Sequence, residues 1–224
     1  QDDLSRAIAN KLRANLTTNG HESQLVKAPT QNLDAYKKYL QGVHLYVSLS
    51  PQNKNTAIEL FREAIQLDPK MANAHGMLAF AYTFMGQTGV MNAKEAISLV
   101  NHHASLASEY DPDNVISLLA QCSVKFFLEW DWAHAYELVQ RALELNPGEP
   151  LGHAMMAEYH HLFLEDDKAI DEMMIAYRLN PLSSDTISQL ARLYMIAEKF
   201  EEAAKYAKEA NALNPENIAA VNVM

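Results

Sequence analysis

A recurring proline constrains the fold of this chain more than any other feature. Five times, an apolar or aromatic residue is followed by Asp or Asn and then by proline, at Pro69, Pro112, Pro147, Pro181 and Pro215. These prolines are 43, 35, 34 and 34 residues apart. Self-similarity at a fixed period of this length is typical of helical hairpins that stack into a solenoid.

Small residues keep the same phase as the prolines. Five residues before each proline stands an alanine, at Ala64, Ala107, Ala142, Ala176 and Ala210. Small side chains let two helices approach closely, and proline ends the second helix because it cannot continue it. One helix pair cannot bury its apolar face alone, so the pairs must stack. The sequence therefore predicts an all-α solenoid of about five helix-turn-helix repeats, without β-sheet.

The same pattern predicts where the repeats lie. They cover about 33–69, 72–112, 115–147, 150–181 and 184–215, with a partial repeat over 217–224. Residues 1–30 are predicted to hold a leading helix and a linker, and residues 31–224 the repeat domain. The second unit exceeds the 34-residue period by nine residues near Gln87–Met91, and we expect it to depart there from regular stacking. The paired helices are predicted at 33–47, 56–67, 72–85, 93–110, 115–128, 132–145, 150–164, 168–179, 184–197 and 201–213.

Composition excludes several classes of function. Lys and Arg total 18 against 28 Asp and Glu, and the resulting net charge of −10 disfavours direct binding to nucleic acid. No apolar stretch approaches the ~20 residues of a membrane span. The single cysteine, Cys122, is predicted to be a buried small hydrophobe. The sequence has no Gly-rich phosphate loop, nucleophile elbow or zinc-protease motif, so it predicts neither an enzyme nor a cofactor.

Further positional signals lie in the first helix of each unit. Its eighth position is small, at Gly42, Ala79, Ser123, Ala157 and Ala191. Its eleventh position is aromatic at Tyr82, Phe126 and Tyr194, while the fourth unit has His160 there. Together with the alanines and prolines, this pattern resembles the tetratricopeptide repeat family over about Leu33 to Pro215. The resemblance implies a right-handed superhelical solenoid that binds a protein or peptide in its concave groove.

Two local stretches resemble a narrower group. They are Glu129-Trp130-Asp131-Trp132-Ala133 and the segment 30–42, and a leading helix precedes them. Together they are similar to the C-terminal region of bacterial multidomain signalling proteins. There, a TolB-like domain precedes the repeats, and the output domain is a helix-turn-helix, a nucleotide cyclase or a kinase. The resemblance implies a regulatory or sensory region of a transcriptional regulator or an adenylate/guanylate cyclase. Residues 1–30 would then be the tail of a fused upstream domain. The parent would be membrane-anchored, with the repeats on its cytoplasmic or periplasmic side.

In the tetratricopeptide family the first helices line the groove. Mapping their groove positions onto this sequence gives the candidate partner-binding residues Tyr36, Tyr39, Val43, Tyr46, Asn73, Phe80, Thr83, Phe84, Val124, Phe127, Glu158, His161, Arg192 and Met195. The N-terminal half of this set is aromatic, which suits the anchoring of a peptide. Alternatively, the leading helix or the segment 18–30 fills that half itself. Arg192 is the only cation that the mapping places in the groove.

Two rival interpretations remain open. His153, His160, His161 and Glu158 could bind a metal or small ligand, although His153 and His160 occupy positions that favour helix packing. The chain could instead be a structural oligomerisation region. Its last residues, 217–224, are apolar without charge, so the chain either is cut inside a repeat or docks there on a second copy as a homodimer.

The tryptophans have a simpler interpretation. Trp130 and Trp132 are predicted to staple the turn of the third unit, and Asp131 between them is predicted to cap the following helix.

Overall fold

The structure, a computed structural model, describes residues 30–46 and 51–215. These residues form helices and turns and contain no strand. The helices are α1 (Leu33–Tyr46), α2 (Pro51–Leu67), α3 (Ala72–Gln87), α4 (Ala93–Tyr110), α5 (Val115–Val124), a π-helical turn (Lys125–Glu129), α6 (Trp132–Leu145), α7 (Pro150–Leu162), α8 (Asp166–Leu179), α9 (Ser184–Ile196) and α10 (Phe200–Leu213). The all-α prediction is confirmed. The predicted leading helix, most of the linker and the partial repeat lie outside the described residues, as does the apolar C-terminal end.

Local chemistry sets the helix ends. Asn92, Asn114, Asp131 and Ser183 each precede a helix and accept a backbone N–H of its first turn through the side chain. The predicted cap at Asp131 is thus confirmed, with its oxygen 3.5 Å from the His134 amide nitrogen. The Asp or Asn before each proline stands directly after the second helix of its pair, where the proline prevents further helix.

Two helix bounds differ from the sequence prediction in an informative way. The helix α2 begins at Pro51, five residues before the predicted start, because proline is well suited to a first helical position. The predicted helix 115–128 is α-helical only to Val124 and continues as the π-helical turn. In the long second unit, α4 has 18 residues against 14 in α6, α8 and α10, as its extra residues predicted.

The alanines of the repeat lie where the helices meet. The five alanines that precede the prolines by five residues are all fully buried. Cys122 is also buried, as predicted, and its Sγ lies 3.2 Å from the Ala135 carbonyl oxygen. Burial raises the pKa of the Cys122 thiol to about 12, so this cysteine is not a nucleophile at neutral pH.

The first repeat packs more tightly than small-residue spacing alone requires. A Cβ atom on Gly42 would lie 2.5 Å from the Phe61 ring, closer than van der Waals contact allows. Phe61 is fully buried, and the rings of Tyr39 and Tyr46 lie 6.2 and 6.3 Å from it. Glycine at position 42 is therefore what admits a phenylalanine between α1 and α2.

The turns inside the last three pairs share one geometry. Trp130, Leu164 and Glu198 are 34 residues apart and have positive φ angles of 57°, 60° and 57°. In the fourth pair the N–H of Glu165 donates to the His160 carbonyl and that of Leu164 to the His161 carbonyl. These two bonds are the Schellman pattern that satisfies the last carbonyls of a helix. No described helix combines the length and the apolar character that a membrane span requires.

Candidate functional site

A cavity of about 140 Å³ opens between the first helices of the second to fifth repeats. Side chains of α3, α5, the π-helical turn, α7 and α9 line it: Phe80, Thr83, Phe84, Gln87, Ser123, Phe127, Leu151, Ala154, Met155, Glu158 and Gln189. Five of the predicted groove residues are among them, and most of the lining is apolar. The structure therefore brings the middle of the predicted groove together as one site.

Two aromatic rings in the cavity lining are partly exposed to solvent. Phe84 is 38% exposed and Phe127 is 42% exposed. The Lys54 ammonium lies 4.6 Å from the centroid of the Phe84 ring and 4.7 Å from that of Tyr46, a cation–π arrangement. Burial lowers the pKa of Lys54, and the nearby Asp185 carboxylate partly offsets this. Lys54 on α2, which a mapping of first-helix positions does not include, therefore contacts a ring that lines the cavity.

The opposite end of the groove is polar. Arg192 on α9 donates to the Glu158 carboxylate on α7, with 2.5 Å between nitrogen and oxygen. Both side chains are about one quarter to one third exposed, so the pair is open to solvent on one side. Met195 on α9 is 37% exposed. The predicted change from an apolar to a polar groove along the chain is present, but the cation and the carboxylate neutralise each other.

Four predicted groove residues are buried, although one of them, Thr83, still lines the cavity. Tyr39 and Tyr46 are each 8% exposed and pack on Phe61, and burial raises the pKa of Tyr39 to about 12. Thr83 and Val124 are each 1% exposed, and the Thr83 hydroxyl donates to the Ala79 carbonyl one turn back. The mapping by repeat position did not anticipate that Phe61 from α2 packs against Tyr39 and Tyr46.

The remaining predicted groove residues lie in intermediate surroundings. Tyr36, Val43 and Phe80 are half-buried against the same core as Phe61. The Asn73 side-chain oxygen accepts a hydrogen bond from the Asn114 amide at 2.6 Å, which links the second repeat to the third. His161 lies near the end of α7, 3.0 Å from Asp166, at the turn rather than among the cavity-lining residues. These contacts hold the repeats together around the cavity.

The four residues considered for a metal site each pair with a side chain outside the set. His153 pairs with Glu172 at 2.6 Å, His160 with Glu165 at 2.6 Å, and His161 with Asp166 at 3.0 Å. Glu158 binds Arg192. Among the residues that the structure describes, no group of three or more His, Cys, Asp or Glu side chains could hold a metal ion. The metal alternative therefore does not have an assembled ligand set.

A histidine pair outside the groove had no sequence signal. The Nε2 of His75 donates to the Pro69 carbonyl at 3.1 Å, which leaves its Nδ1 to accept from the Nδ1 of His103 at 3.0 Å. Burial lowers the pKa of both rings, and that of His103 falls to about 4. The two histidines are 28 residues apart on α3 and α4, so only the packing of these helices reveals the pair.

Some cavity residues were also missed by sequence reasoning. Gln87 lies two residues beyond the predicted end of α3, so the mapping stopped before it. Ser123 occupies the small eighth position, which the mapping assigned to helix packing, and Gln189 stands at a position that the mapping did not assign to the groove. The length of α3 is the one sequence signal that could have found Gln87, because the second unit carries extra residues there.

Comparison with known proteins shows what the described fold is similar to. A tetratricopeptide repeat model matches residues 185–217. A thermophilic TPR protein of Thermus thermophilus superposes with a TM-score of 0.65 at 19% identity, over 84% of this chain and 96% of that one. PilF of Pseudomonas aeruginosa superposes with a TM-score of 0.56 at 18% identity, over 85% of this chain and 81% of that one. These likenesses show the fold.

Two curated relatives are much longer than the aligned part. The human protein O-mannosyl-transferase TMTC1 is 25% identical over 81% of this chain, which is 21% of its own length. The transcriptional regulator HilA of Salmonella typhimurium (strain LT2) is 21% identical over 86% of this chain, which is 41% of its own length. The chain therefore spans less than half of the length of either relative.

Proposed function

Because the described helices form a tetratricopeptide repeat array, we propose that the chain is a non-enzymatic interaction module that holds a segment of a partner protein in its groove. Tetratricopeptide arrays act as scaffolds for proteins and peptides. The observation that carries the proposal is the cavity between α3, α5, α7 and α9, where Phe84 and Phe127 present exposed ring surface. Half-exposed aromatic rings in a concave site supply binding energy with little loss of side-chain entropy.

The lining indicates which chemistry such a segment would carry. Leu151, Ala154 and Met155 form an apolar floor on α7, so an apolar side chain of the partner enters the cavity. Gln87 and Gln189 offer amide donors and acceptors for the partner's backbone. Because Glu158 and Arg192 neutralise each other, the polar end selects for hydrogen-bonding groups rather than for net charge.

Peptides selected from a random display library on the immobilised chain test this proposal. Replacing both rings, Phe84→Ala with Phe127→Ala, should weaken the selected peptides by at least about tenfold, since each anchor contributes on the order of 1–2 kcal/mol. The melting temperature should change little, because both rings are already partly exposed.

The matched control is Leu182→Ala, which removes an apolar side chain that is 76% exposed and does not line the cavity. It should leave the selected peptides bound as tightly as before. Selected peptides that bind the double variant and the unmodified chain equally would place peptide binding elsewhere.

We also propose that this module is the C-terminal regulatory or sensory region of a bacterial signalling protein and biases a fused output domain when a partner binds. The similarity to HilA, named a transcriptional regulator, supports this over most of the chain. The Glu129–Ala133 motif supports it independently. The reading frame upstream of Gln1 provides the test. A DNA-binding, cyclase or kinase domain encoded there agrees with the proposal, and a frame that encodes none contradicts it.

A further inference from the structure

Large apolar side chains project at the turns between the first and second helices of the last three repeats. We refer to six of them as the apolar rim: Trp130, Trp132, Phe163, Leu164, Ile196 and Phe200. Their exposed fractions run from 38% for Trp132 to 83% for Leu164. Soluble proteins seldom leave several large apolar side chains exposed together unless the patch binds something.

Side-chain contacts join these turns into one surface. The ring of Trp132 in the third repeat meets that of Phe163 in the fourth edge to face, with centroids 6.3 Å apart. The Lys199 ammonium in the fifth repeat lies 3.1 Å from the Asp167 carboxylate in the fourth. An aromatic contact thus joins the third turn to the fourth, and an ion pair joins the fourth to the fifth.

Two rim residues have a backbone conformation that is unusual for large side chains. Trp130 and Leu164 occupy the left-handed region, where glycine is the usual residue because it has no Cβ. Each side chain there adds backbone strain and, in addition, exposes apolar area to water. Strained residues persist mainly where they serve a function, so this choice favours a role for the exposed side chains.

Negative charge surrounds the rim. The three turn segments 129–134, 163–168 and 197–202 together contain eight Asp and Glu residues and two Lys residues, and each segment has a net charge of −2. Glu201 and Glu202 stand directly after Phe200, whereas Glu165, Asp166 and Asp167, directly after Leu164, pair with Lys168, His161 and Lys199. An apolar strip bordered by carboxylates is complementary to a segment that is apolar on one face and basic on its flanks.

We propose that the apolar rim binds a basic amphipathic segment of a partner protein. The partner's apolar side chains cover Trp132, Phe163 and Leu164, and its Lys or Arg side chains lie against the flanking carboxylates. A second copy of the chain would bring two acidic rims together, and an anionic membrane surface would be repelled in the same way. The rim shares no residue with the cavity lining, so this surface is distinct from the groove.

Tryptophan fluorescence of the full chain reads this surface directly, because both tryptophans of the sequence are rim residues. The probe is a synthetic helical peptide with leucines on one face and lysines on the other. We expect its addition to shift the tryptophan emission to shorter wavelength, as the indoles leave water, and the affinity to fall with added salt. A peptide with Glu in place of Lys should give no shift, and a scrambled Leu/Lys peptide should bind at least tenfold more weakly.

Two variants separate the rim from the groove. Leu164→Asn with Phe200→Ser keeps every charge, and asparagine tolerates the left-handed conformation, so this variant should fold and bind the probe at least tenfold more weakly. The groove variant Phe84→Ala should bind it unchanged. An unshifted emission spectrum, equal binding of the scrambled peptide, or loss in Phe84→Ala alone would overturn the proposal. So would the same shift produced by anionic lipid vesicles, or by concentrating the chain without peptide.

Discussion

The first repeat and the last three repeats differ in how far several of their aromatic side chains are exposed to solvent. In the first, Tyr39, Tyr46 and Phe61 are buried together in the core. In the later repeats, Trp130, Phe163 and Phe200 stand half or more exposed at the turns. The period of the repeat fixes the helices in both regions, but the neighbouring helix decides which side chains are covered. The position of a residue in the repeat therefore predicts its backbone conformation better than it predicts whether its side chain is buried.

Two histidines at the same repeat position show this difference at atomic scale. His75 and His153 each hydrogen-bond the carbonyl of the proline six residues earlier, Pro69 and Pro147. The second ring nitrogen of His75 faces His103, whereas that of His153 faces the Glu172 carboxylate. Burial lowers the pKa of His75, so a second proton on that ring is disfavoured.

The largest expected effect comes from removing a ring from the aromatic core of the first repeat. Phe61→Ala should lower the free energy of unfolding by about 3–5 kcal/mol, because it leaves a cavity among Tyr39, Tyr46 and the α1 backbone. Phe200→Ala, which removes the same ring from the rim, should change it by less than about 0.5 kcal/mol. Urea denaturation of both variants measures the contrast, and similar losses in the two would remove the distinction between the regions.

A smaller effect should appear in the pH dependence of the His75–His103 pair. The folded pKa of His103 is about 4, below the ordinary value near 6.5, so the unfolded chain takes up this proton first as the pH falls. Stability from the neutral pair is therefore complete above pH 6.5 and declines towards pH 4. Allowing for partial exposure of the ring, the loss should be about 1–2 kcal/mol.

The variant His103→Gln isolates this contribution, because glutamine can still donate to His75 and does not titrate. Its unfolding free energy, measured by urea denaturation between pH 4 and pH 7, should fall less steeply than that of the unmodified chain. His44→Gln, at an exposed histidine on α1, should follow the unmodified chain. A His103→Gln profile parallel to the unmodified one would show that the pair does not couple to folding.

The smallest effect concerns the left-handed turn of the fourth repeat. Leu164→Gly should raise the free energy of unfolding by about 1 kcal/mol, because glycine adopts a φ of 60° without strain. Leu162→Gly, at the last residue of α7, should lower it by less than about 1 kcal/mol, because glycine is a poorer helix former than leucine. Opposite shifts of the thermal midpoint in the two variants check the prediction, and a loss in both would mean that the Leu164 side chain contributes packing.

Sequence reasoning succeeded where short-range chemistry decides the structure. The proline period, the buried alanines and the cap at Asp131 predicted the helix pairs, and the tetratricopeptide resemblance was confirmed by the matched repeat model and the shared fold. The mapping by repeat position also selected Phe84 and Phe127, whose exposed rings line the cavity.

The rest depends on contacts between helices that no single position reveals. Tyr39 is buried because Gly42 leaves room for Phe61, which is 19 residues further along the chain. Lys54 enters the groove only because its side chain crosses the Tyr46 and Phe84 rings. In both cases a side chain of α2, a second helix, contacts residues of α1 or α3. A mapping that considers only first helices cannot predict such contacts.

The π-helical turn at Lys125–Glu129 accommodates the one residue by which the third unit exceeds the units that follow it. Such a turn holds one residue more than an α-helical turn, and the unit that contains it is 35 residues long where its two successors are 34. The surplus residue is absorbed inside the helix, so Trp130, Asp131 and Pro147 keep the register of the next two units. Phe127 lies within this π-helical turn and lines the cavity of the groove.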